Sequence, residues 1–231
     1  MKKYIFLTIS NIFIFLILPI SRLISKKNYE KFVLPKILSF TCNTKPINFQ
    51  RKKIIPSATG LVVELGVGAG ANFRFYKPEN IQKIIAIDPS SELNDLARKE
   101  AKKYNYEIEI FNQSAESIPF EDNSIDTVVS TYTLCSIPNP DQAMREVYRI
   151  LKPNGVFLFS EHGRSPDHFT AYIQDQIEFF YPFISGGCHC NRDIKKVISN
   201  SNLEFQSLDT TYLPGTQKFL GFNYWGTAIK L

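Results

Sequence analysis

Cysteine is scarce in this sequence, with four residues among 231. Four cysteines in a chain of this length do not form a disulfide framework, and they fit a reducing compartment. Two of them, Cys188 and Cys190, flank His189, but a structural zinc site needs four ligands, usually in paired C-x₂₋₄-C units. No second pair lies nearby, so we predict that the protein holds no metal.

Basic side chains are missing from the part of the chain where a nucleic-acid enzyme would need them. Residues 1–55 carry 11 of the 27 Lys and Arg residues and one of the 22 acidic residues, so the rest of the chain is net acidic. A nucleic-acid enzyme usually carries basic charge on its working domain. The distribution therefore argues against a nucleic-acid partner and favours contact between residues 1–55 and an anionic membrane surface.

The N-terminal segment lacks the small-residue cleavage site that would end a signal peptide. Tyr4–Ile20 is a run of 17 mostly apolar residues. As a helix it would be about 26 Å long, against a hydrocarbon core of about 30 Å. We predict a hydrophobic helix that anchors residues 1–24 in the membrane, either spanning the bilayer or lying at its surface. More Lys and Arg residues follow the run than precede it, which predicts that the rest of the chain lies on the cytoplasmic side.

Residues 25–58 are predicted to be a basic connection with some helix, in which Arg51, Lys52 and Lys53 form a solvated patch. Residues 59–231 are predicted to form one α/β domain, because strand and helix patterns alternate along them. The predicted strands are Leu61–Leu65, Lys83–Asp88, Glu107–Phe111, Ile125–Thr131, Val156–Glu161, Leu203–Tyr212 and Tyr224–Lys230. The predicted helices are about Ser91–Lys103, Asp141–Leu151, Asp167–Tyr181 and Asn191–Asn200.

The stretch Leu61–Gly70 organises this domain, because a buried strand is followed by glycines at positions 66, 68 and 70. Glycine allows a sharp turn with positive φ and lets a ligand lie against bare backbone. A second strand ends in Asp88, at about the spacing at which an acid meets the two hydroxyls of a ribose. The pattern predicts a nucleoside-cofactor site. The pattern does not distinguish a dinucleotide cofactor from other nucleosides, since Gly66, Gly68 and Ala71 also satisfy the dinucleotide pattern G-x-G-x-x-A.

The pattern E-x-G-x-G-x-G, formed by Glu64 and the three glycines, resembles motif I of the class I S-adenosylmethionine methyltransferases. Two later stretches, Gln113–Asp126 and Arg149–Gly155, are similar to further motifs of that family. The resemblance covers about residues 60–231 and implies a doubly wound, mostly parallel, seven-stranded sheet whose last strand is inserted antiparallel. A dinucleotide-binding half-fold would be followed by a substrate domain. We expect no residues to remain for such a domain, which favours S-adenosylmethionine over a dinucleotide.

The resemblance also implies which residues contact the cofactor. S-adenosylmethionine has no phosphate, and in this family its methionine carboxylate and amine lie over the glycine turn, while an Ala-Glu pair borders the adenine. Residues at the C-terminal ends of parallel strands face the ligand crevice, which adds Thr131 to the candidates. The residues that we expect to hold the cofactor are Glu64, Gly66, Gly68, Gly70, Asp88, Ala115, Glu116 and Thr131.

One group within this class is especially similar, the membrane-bound methyltransferase-like thiol methyltransferases of animals and their bacterial relatives. The segments that are similar are Gly70–Tyr76, Ile87–Pro89, Thr133–Ser136, Ser160–His162, Gly187-Cys188 with Arg192, and Gly226–Lys230. The resemblance implies methyl transfer to a small lipophilic thiol. The sequence departs from the usual pattern at Val67, where cysteine is common.

The reaction asks little of the protein, because a sulfonium methyl group is already activated and a thiolate can form near neutral pH. His162, at the end of a strand, is a candidate base or acceptor-orienting residue, and Thr131 is a second catalytic candidate. The aromatic run Phe179–Phe183 is predicted to be core or to line an acceptor pocket. One alternative is methyl transfer to a lipid amine or a quinone-like acceptor. The other is a protein that binds the cofactor without catalysing a reaction.

Overall fold

The computed structural model describes Ser25, residues 28–105 and residues 107–231. The hydrophobic helix predicted in residues 1–24 lies outside these ranges. Within them, no helix combines the length and the apolar composition that are needed to cross a bilayer.

The described residues form a single sheet of seven strands. They are β1 (Gly60–Leu65), β2 (Ile81–Ile87), β3 (Ile108–Phe111), β4 (Ile125–Thr131), β5 (Leu151–His162), β6 (Glu204–Tyr212) and β7 (Phe222–Ile229). Their order is β3-β2-β1-β4-β5-β7-β6. Strands β1 to β5 are parallel, whereas β7 is antiparallel to both β5 and β6. The chain winds outward from β1 in both directions, which confirms the predicted doubly wound, mostly parallel sheet.

The inner strands are buried on both faces of the sheet. Alternate residues of β1 and β2 point to opposite cores, with Val63 and Ile85 in one and Val62 and Ile84 in the other. This burial explains why the sequence of these strands is a continuous apolar run rather than an alternating one. Polar side chains therefore lie mainly in the turns at the strand ends, which is where this type of fold binds its ligands.

Helices cover the sheet and precede it in the chain. The described residues contain α1 (Leu34–Thr41), α2 (Lys45–Ile54), α3 (Ser91–Ala101), α4 (Pro140–Ile150), α5 (His168–Ile177), α6 (Tyr181–Ile184), α7 (Ile194–Ser199) and α8 (Lys218–Gly221). Four of them have an N-cap residue whose side-chain oxygen accepts a hydrogen bond from a backbone N–H of the first turn. These capping residues are Ser90, Asn139, Asp167 and Asp193.

The structure corrects several predicted bounds. β5 begins at Leu151 rather than Val156, because residues 152–155 form an irregularity within the strand instead of preceding it, with Asn154 at a φ of 63°. The predicted helix Asp167–Tyr181 ends at Ile177, and the short helix α6 follows it. The connection from β1 to β2, for which no helix was predicted, contains two short 3₁₀ turns.

The helices before the sheet pack against the rest of the domain. The hydroxyl of Tyr29, in a π-helical turn that precedes α1, donates to the carbonyl of Ile184 at 2.7 Å. Arg51 lies on the inward face of α2 and is only 4% exposed, so the predicted solvated patch is wrong for this residue. Its neighbours Lys52 and Lys53 are exposed, as predicted.

Candidate active site

A cavity of about 920 Å³ opens at the carboxyl ends of the central parallel strands. Its volume is near the upper end of the range of about 300–1,000 Å³ that is typical of ligand sites. The turns that follow β1, β2, β4 and β5 line it together with residues of α1, α2, α6 and the segment Leu213–Leu220. This is the edge of the sheet, at the reversal of strand order, where doubly wound folds bind their ligands.

The glycine turn, Gly66–Gly70, forms one end of this cavity. Gly66 N–H donates to the carbonyl of Ile87 at 2.7 Å, which joins the turn to the end of β2. Gly66, Gly68 and Gly70 have φ values of 63°, 54° and 80°. A Cβ at Gly66 would collide with Thr133, whereas a Cβ at Gly68 would have no neighbour closer than 4.0 Å. Gly68 therefore presents bare backbone to the cavity, as contact with a cofactor requires.

Asp88, just after β2, fixes the glycine turn and lines the cavity. Its Oδ2 accepts the N–H of Gly68 at 3.0 Å, and its Oδ1 accepts the N–H of Ser90 at 2.9 Å. Burial raises the pKa of the Asp88 carboxyl, and the two hydrogen bonds from N–H groups oppose that rise. A carboxyl beside bare backbone at the end of β2 is the arrangement expected for an acid that binds a ribose.

Glu64 is buried behind the glycine turn and does not line the cavity. Its Oε1 accepts the amide N–H of Asn72 at 3.0 Å, and its Oε2 accepts the hydroxyl of Tyr76 at 2.7 Å. The same Asn72 amide donates to Thr131 Oγ1 at 3.0 Å, so this network joins the turn to the end of β4. Burial raises the pKa of Glu64 to about 7, against the effect of its hydrogen bonds. Glu64 can reach a ligand only through these neighbours.

The predicted Ala-Glu pair is divided between the cavity and the scaffold. Ala115 lines the cavity, whereas Glu116 does not. The Oε1 of Glu116 accepts the N–H of Asn139 at 2.6 Å, and its Oε2 accepts the hydroxyl of Ser114 at 2.9 Å. Glu116 therefore ties the segment after β3 to the start of α4.

Thr131 and Tyr132 line the middle of the cavity, where Arg51 joins them. Tyr132 has a φ of 56°, and its hydroxyl donates to Asn223 Oδ1 at 2.6 Å. The guanidinium of Arg51 lies 5.2 Å from the centre of the Tyr132 ring and donates to the carbonyl of Cys42. Sequence reasoning missed this residue, because a run of three basic side chains predicts exposure. The helical spacing of Arg51 with the buried Ile54 is the signal that could have found it.

His162 lies between two cysteines at the other end of the cavity. Its Nε2 is 2.8 Å from Cys188 Sγ, while its Nδ1 is buried with no hydrogen-bond partner among the described residues. One ring nitrogen of His162 and the Sγ atoms of Cys135 and Cys188 all lie within 4.8 Å of one another. A hydrogen bond from Cys188 lowers the pKa of Cys135 well below its ordinary value of 9.0. We call these three residues the Cys–His–Cys cluster.

Hydrogen bonds to its carbonyl groups hold the loop after β4, which carries Cys135. The N–H of His189 donates to the carbonyl of Cys135 at 2.9 Å. The guanidinium of Arg192 donates to the carbonyls of Leu134 and Ile137, the latter at 2.8 Å. Two segments that are distant in sequence are thus joined directly at the cluster.

Glu161 supports the same loop from below rather than lining the cavity. It is fully buried, and its carboxylate accepts the N–H of Thr133 at 2.9 Å and the hydroxyl of Ser130 at 2.8 Å. Burial raises the pKa of Glu161 to about 8. The residue therefore positions the loop, and His162 is the residue of this strand end that reaches the cavity.

The triplet Cys188, His189 and Cys190 does not act as one unit. His189 pairs with the carboxylate of Glu178, and the Sγ of Cys190 lies 4.0 Å from the carbonyl of Gln174. Only Cys188 lines the cavity, where it meets side chains that are far away in the sequence. Local spacing therefore gave no signal of the cluster.

The rest of the cavity lining is mostly apolar. The aliphatic side chains come from α1, α2, α6 and the segment around α8. They are Leu34, Ile37, Leu38, Ile47, Ile184, Leu213 and Leu220. A lining of this kind favours a lipophilic ligand.

The chain is similar to known methyltransferases in sequence and in fold. A family profile described as "Methyltransferase domain" matches residues 63–159. The thiol S-methyltransferase TMT1B of Rattus norvegicus is 33% identical over 175 residues, which cover 73% of this chain and 70% of the rat protein. The ubiquinone/menaquinone biosynthesis C-methyltransferase UbiE of Geotalea daltonii is 28% identical over 183 residues, 76% of this chain and 77% of that protein. A solved SAM-dependent methyltransferase from Thermotoga maritima has a TM-score of 0.61 at 19% identity, covering 88% of this chain and 98% of its own.

Fold and sequence together define a class I S-adenosylmethionine-dependent methyltransferase, which confirms the predicted class and cofactor. The site fits this cofactor, because Gly68 leaves open space beside the carboxyl of Asp88. Within the class, the chain belongs to the family that includes the thiol S-methyltransferases TMT1A and TMT1B. The alternative of a cofactor-binding protein without catalysis is thereby set aside.

Proposed function

We propose that the protein transfers the methyl group of S-adenosylmethionine to a small lipophilic thiol. The observation that supports this most directly is a continuous cavity, which joins the glycine turn to an apolar chamber containing the Cys–His–Cys cluster. Thiol S-methylation is also the activity named for the rat relative.

At the cofactor end, the glycine turn receives the methionine part of the cofactor and Asp88 binds the ribose hydroxyls. Ala115 borders the adenine, while Glu64 and Glu116 hold the turns that make these contacts. When bound, S-adenosylmethionine supplies a methyl group that its sulfonium already activates. The protein's task is then to hold the acceptor in line and to exclude water.

At the acceptor end, His162 orients the acceptor sulfur. Thr131, held by the amide of Asn72, marks the boundary between the cofactor and the acceptor. A thiol reacts as its thiolate, so groups that favour loss of the thiol proton assist the reaction. The apolar side chains of α1 and α2 receive the lipophilic part of the acceptor.

A lipid amine or a quinone-like molecule is the second candidate acceptor. The apolar lining would accommodate either of them, and the Geotalea relative is named as acting in ubiquinone and menaquinone biosynthesis. An imidazole base can take the proton of an amine as well as that of a thiol, so the cluster alone does not choose between them. The similarity to a thiol S-methyltransferase is what favours the thiol.

A membrane partner fits the surface around this cavity. Aromatic side chains that are more than half exposed stand on or beside helices that line or flank it. They are Phe32, Phe40, Phe49, Phe169, Tyr172, Phe179 and Phe183. The run Phe179–Phe183 was predicted to be core or to line an acceptor pocket, and its two exposed ends do neither. Tyr181 within the run does line the cavity.

Exposed lysines accompany these aromatic residues on and beside α1 and α2. They are Lys31, Lys36, Lys45, Lys52 and Lys53. Aromatic and basic side chains together bind the interface of an anionic membrane. With the anchor predicted in residues 1–24, the catalytic domain would lie against the cytoplasmic face of the membrane. Co-sedimentation with anionic vesicles tests this, and equal binding to zwitterionic vesicles would contradict it.

The acceptor is tested by methyl transfer with the full chain. The candidates are hexanethiol, a long-chain amine and a quinol, each with S-adenosylmethionine, and mass spectrometry identifies the methylated product. We expect the methyl thioether to form fastest, and a reaction without protein to set the background rate. Methylation of the amine or the quinol without any thioether would show that the acceptor assignment is wrong.

A further inference from the structure

Three soft ligand groups meet at the acceptor end of the cavity. The Sγ atoms of Cys135 and Cys188 and a ring nitrogen of His162 lie within 4.8 Å of one another, and all three residues line the cavity. In tetrahedral zinc sites the Zn–S distance is about 2.3 Å and the Zn–N distance about 2.0–2.1 Å, which places the ligand atoms roughly 3.5–3.8 Å apart. The cluster is therefore close to the size of a zinc site, and the 2.8 Å contact between His162 Nε2 and Cys188 Sγ has to open by roughly 0.7 Å to admit the ion.

Strand pairing and hydrogen bonds to the backbone bring these side chains together. His162 ends β5 and is paired with Asn223 of β7. The carbonyl of Cys135 accepts the N–H of His189, and the carbonyl of Cys188 accepts the hydroxyl of Ser185 at 3.3 Å. The ligand set is thus preformed by the fold, as a metal site of defined geometry requires.

The number and type of ligands indicate a site with one open position. Structural zinc sites have four protein ligands, whereas catalytic zinc sites have three and leave the fourth position for water or substrate. Cys42 also lines the cavity but lies outside the compact group, so three protein ligands are counted among the described residues. Two thiolates and an imidazole suit Zn²⁺, whereas Mg²⁺ and Ca²⁺ prefer oxygen ligands.

We propose that Cys135, His162 and Cys188 bind one Zn²⁺, whose fourth position takes the sulfur of the acceptor thiol. The proposal rests on the proposed function, because it explains how the acceptor is activated there. The thiol R–SH displaces a zinc-bound water and releases its proton to solvent, which leaves R–S–Zn. The electron pair of that sulfur forms the new S–CH₃ bond, and the old methyl–sulfonium bond breaks with its pair on the departing S-adenosylhomocysteine. The neutral thioether R–S–CH₃ is a weaker ligand and leaves.

The charges of such a site suit a buried cavity. Two cysteine thiolates balance the charge of Zn²⁺, so the loaded site adds no net charge to the interior. The acceptor thiolate then brings one negative charge to face the positive sulfonium of the donor. A coordinated thiol is deprotonated outright, so no separate general base is needed. An amine or carbon acceptor has no comparable activation, which would make the metal a determinant of thiol specificity.

The proposal is tested by the metal content of the full chain, purified under reducing conditions from zinc-supplemented cells. We expect about one zinc per chain by inductively coupled plasma mass spectrometry. Cys135→Ser and Cys188→Ser should each lower zinc affinity by more than about tenfold. Cys190→Ser is the matched control, because this buried cysteine is two residues from Cys188 but outside the cluster, and it should retain the zinc. Calorimetric binding of S-adenosylhomocysteine shows that each variant is folded.

Cobalt(II) substitution gives a second readout that does not depend on activity. A thiolate-to-cobalt charge-transfer absorption should appear and should change when hexanethiol is added. Three results would each overturn the proposal: wild-type protein that contains no zinc, wild-type protein that contains copper or iron instead of zinc, and Cys188→Ser protein that retains its full zinc content. Metal-free protein that methylates thiols at the wild-type rate would overturn the zinc site and leave the proposed function standing. Zinc-loaded protein that methylates only amines or quinols would overturn the proposed function and the role of zinc in it.

Discussion

The two ends of the cavity are built in different ways. At the cofactor end, the glycine turn and Asp88 follow adjacent strands. N–H groups of the turn donate to the carbonyl of Ile87 and to the carboxylate of Asp88, which connects them directly. At the acceptor end, Cys135, His162 and Cys188 come from three separate segments, and the apolar lining comes from still others. A shared cofactor requires a fixed local backbone, whereas an acceptor pocket assembled from distant segments can change without disturbing the cofactor. This separation explains how one fold serves many acceptors.

The largest expected effect contrasts two glycines of the cofactor end. Gly66→Ala should lower the free energy of unfolding by about 3 kcal/mol, because the left-handed backbone costs about 1–2 kcal/mol and the new Cβ also collides with Thr133. Gly68→Ala has no such collision and should cost only about 1 kcal/mol, yet abolish binding of S-adenosylhomocysteine by filling the cavity. Urea denaturation and calorimetry measure the two effects. A Gly68→Ala variant that still binds would show that the cofactor does not lie against this turn.

The second prediction asks whether the two ends act independently. His162→Ala should lower turnover about 100-fold, which is the scale of a lost catalytic contact, and change the dissociation constant of S-adenosylhomocysteine by less than about twofold. Steady-state kinetics and calorimetry provide the comparison. His168→Ala, on the exposed surface of α5, is the control and should retain wild-type turnover. Turnover at the wild-type rate would remove His162 from the reaction, and a parallel loss of cofactor affinity would show that the ends are coupled.

The same division separates what the sequence predicts from what it does not. The strands β1, β2 and β4 and the glycine turn are local patterns, in which apolar runs and glycine spacing directly determine the backbone. The antiparallel position of β7 came only from family resemblance, since a hairpin of β6 and β7 could join either edge of the sheet.

The acceptor end depends on contacts between distant segments, which no local pattern records. Arg51 is buried because α2 packs against β5 and β7, which places its guanidinium over the ring of Tyr132. Cys188 meets Cys135 because a backbone hydrogen bond from His189 brings the two segments together. In the sequence, residues 188–190 resemble part of a metal site, but in the fold their three side chains contact different partners. The ligand set that forms instead contains only one member of that triplet.

A third prediction tests the assignment of Asp88. Asp88→Ala should weaken binding of S-adenosylhomocysteine by about tenfold to a hundredfold, because a charged hydrogen-bond acceptor contributes about 1.5–3 kcal/mol. Asp88→Asn should fall between this variant and the wild type, since its amide oxygen can still accept one of the two N–H groups. Calorimetry measures both variants, with the exposed Asp95→Ala on α3 as the control. Unchanged affinity in Asp88→Ala would sink the ribose assignment.

The smallest effect concerns Glu64, the buried carboxyl behind the cofactor end. Its pKa is raised from 4.5 to about 7, mainly by burial, so the folded state holds a proton that the unfolded state has already released above pH 4.5. The free energy of unfolding should therefore fall as the pH rises from about 5 to 7. The expected slope is about 1 kcal/mol per pH unit, below the limit of about 1.4 kcal/mol per pH unit for one proton. Glu64→Gln keeps the contacts with Asn72 and Tyr76 within reach but cannot titrate, so its unfolding curves should vary less with pH. Parallel curves for the two proteins would mean that Glu64 stays ionised in the fold, and that charged hydrogen bonds hold the glycine turn.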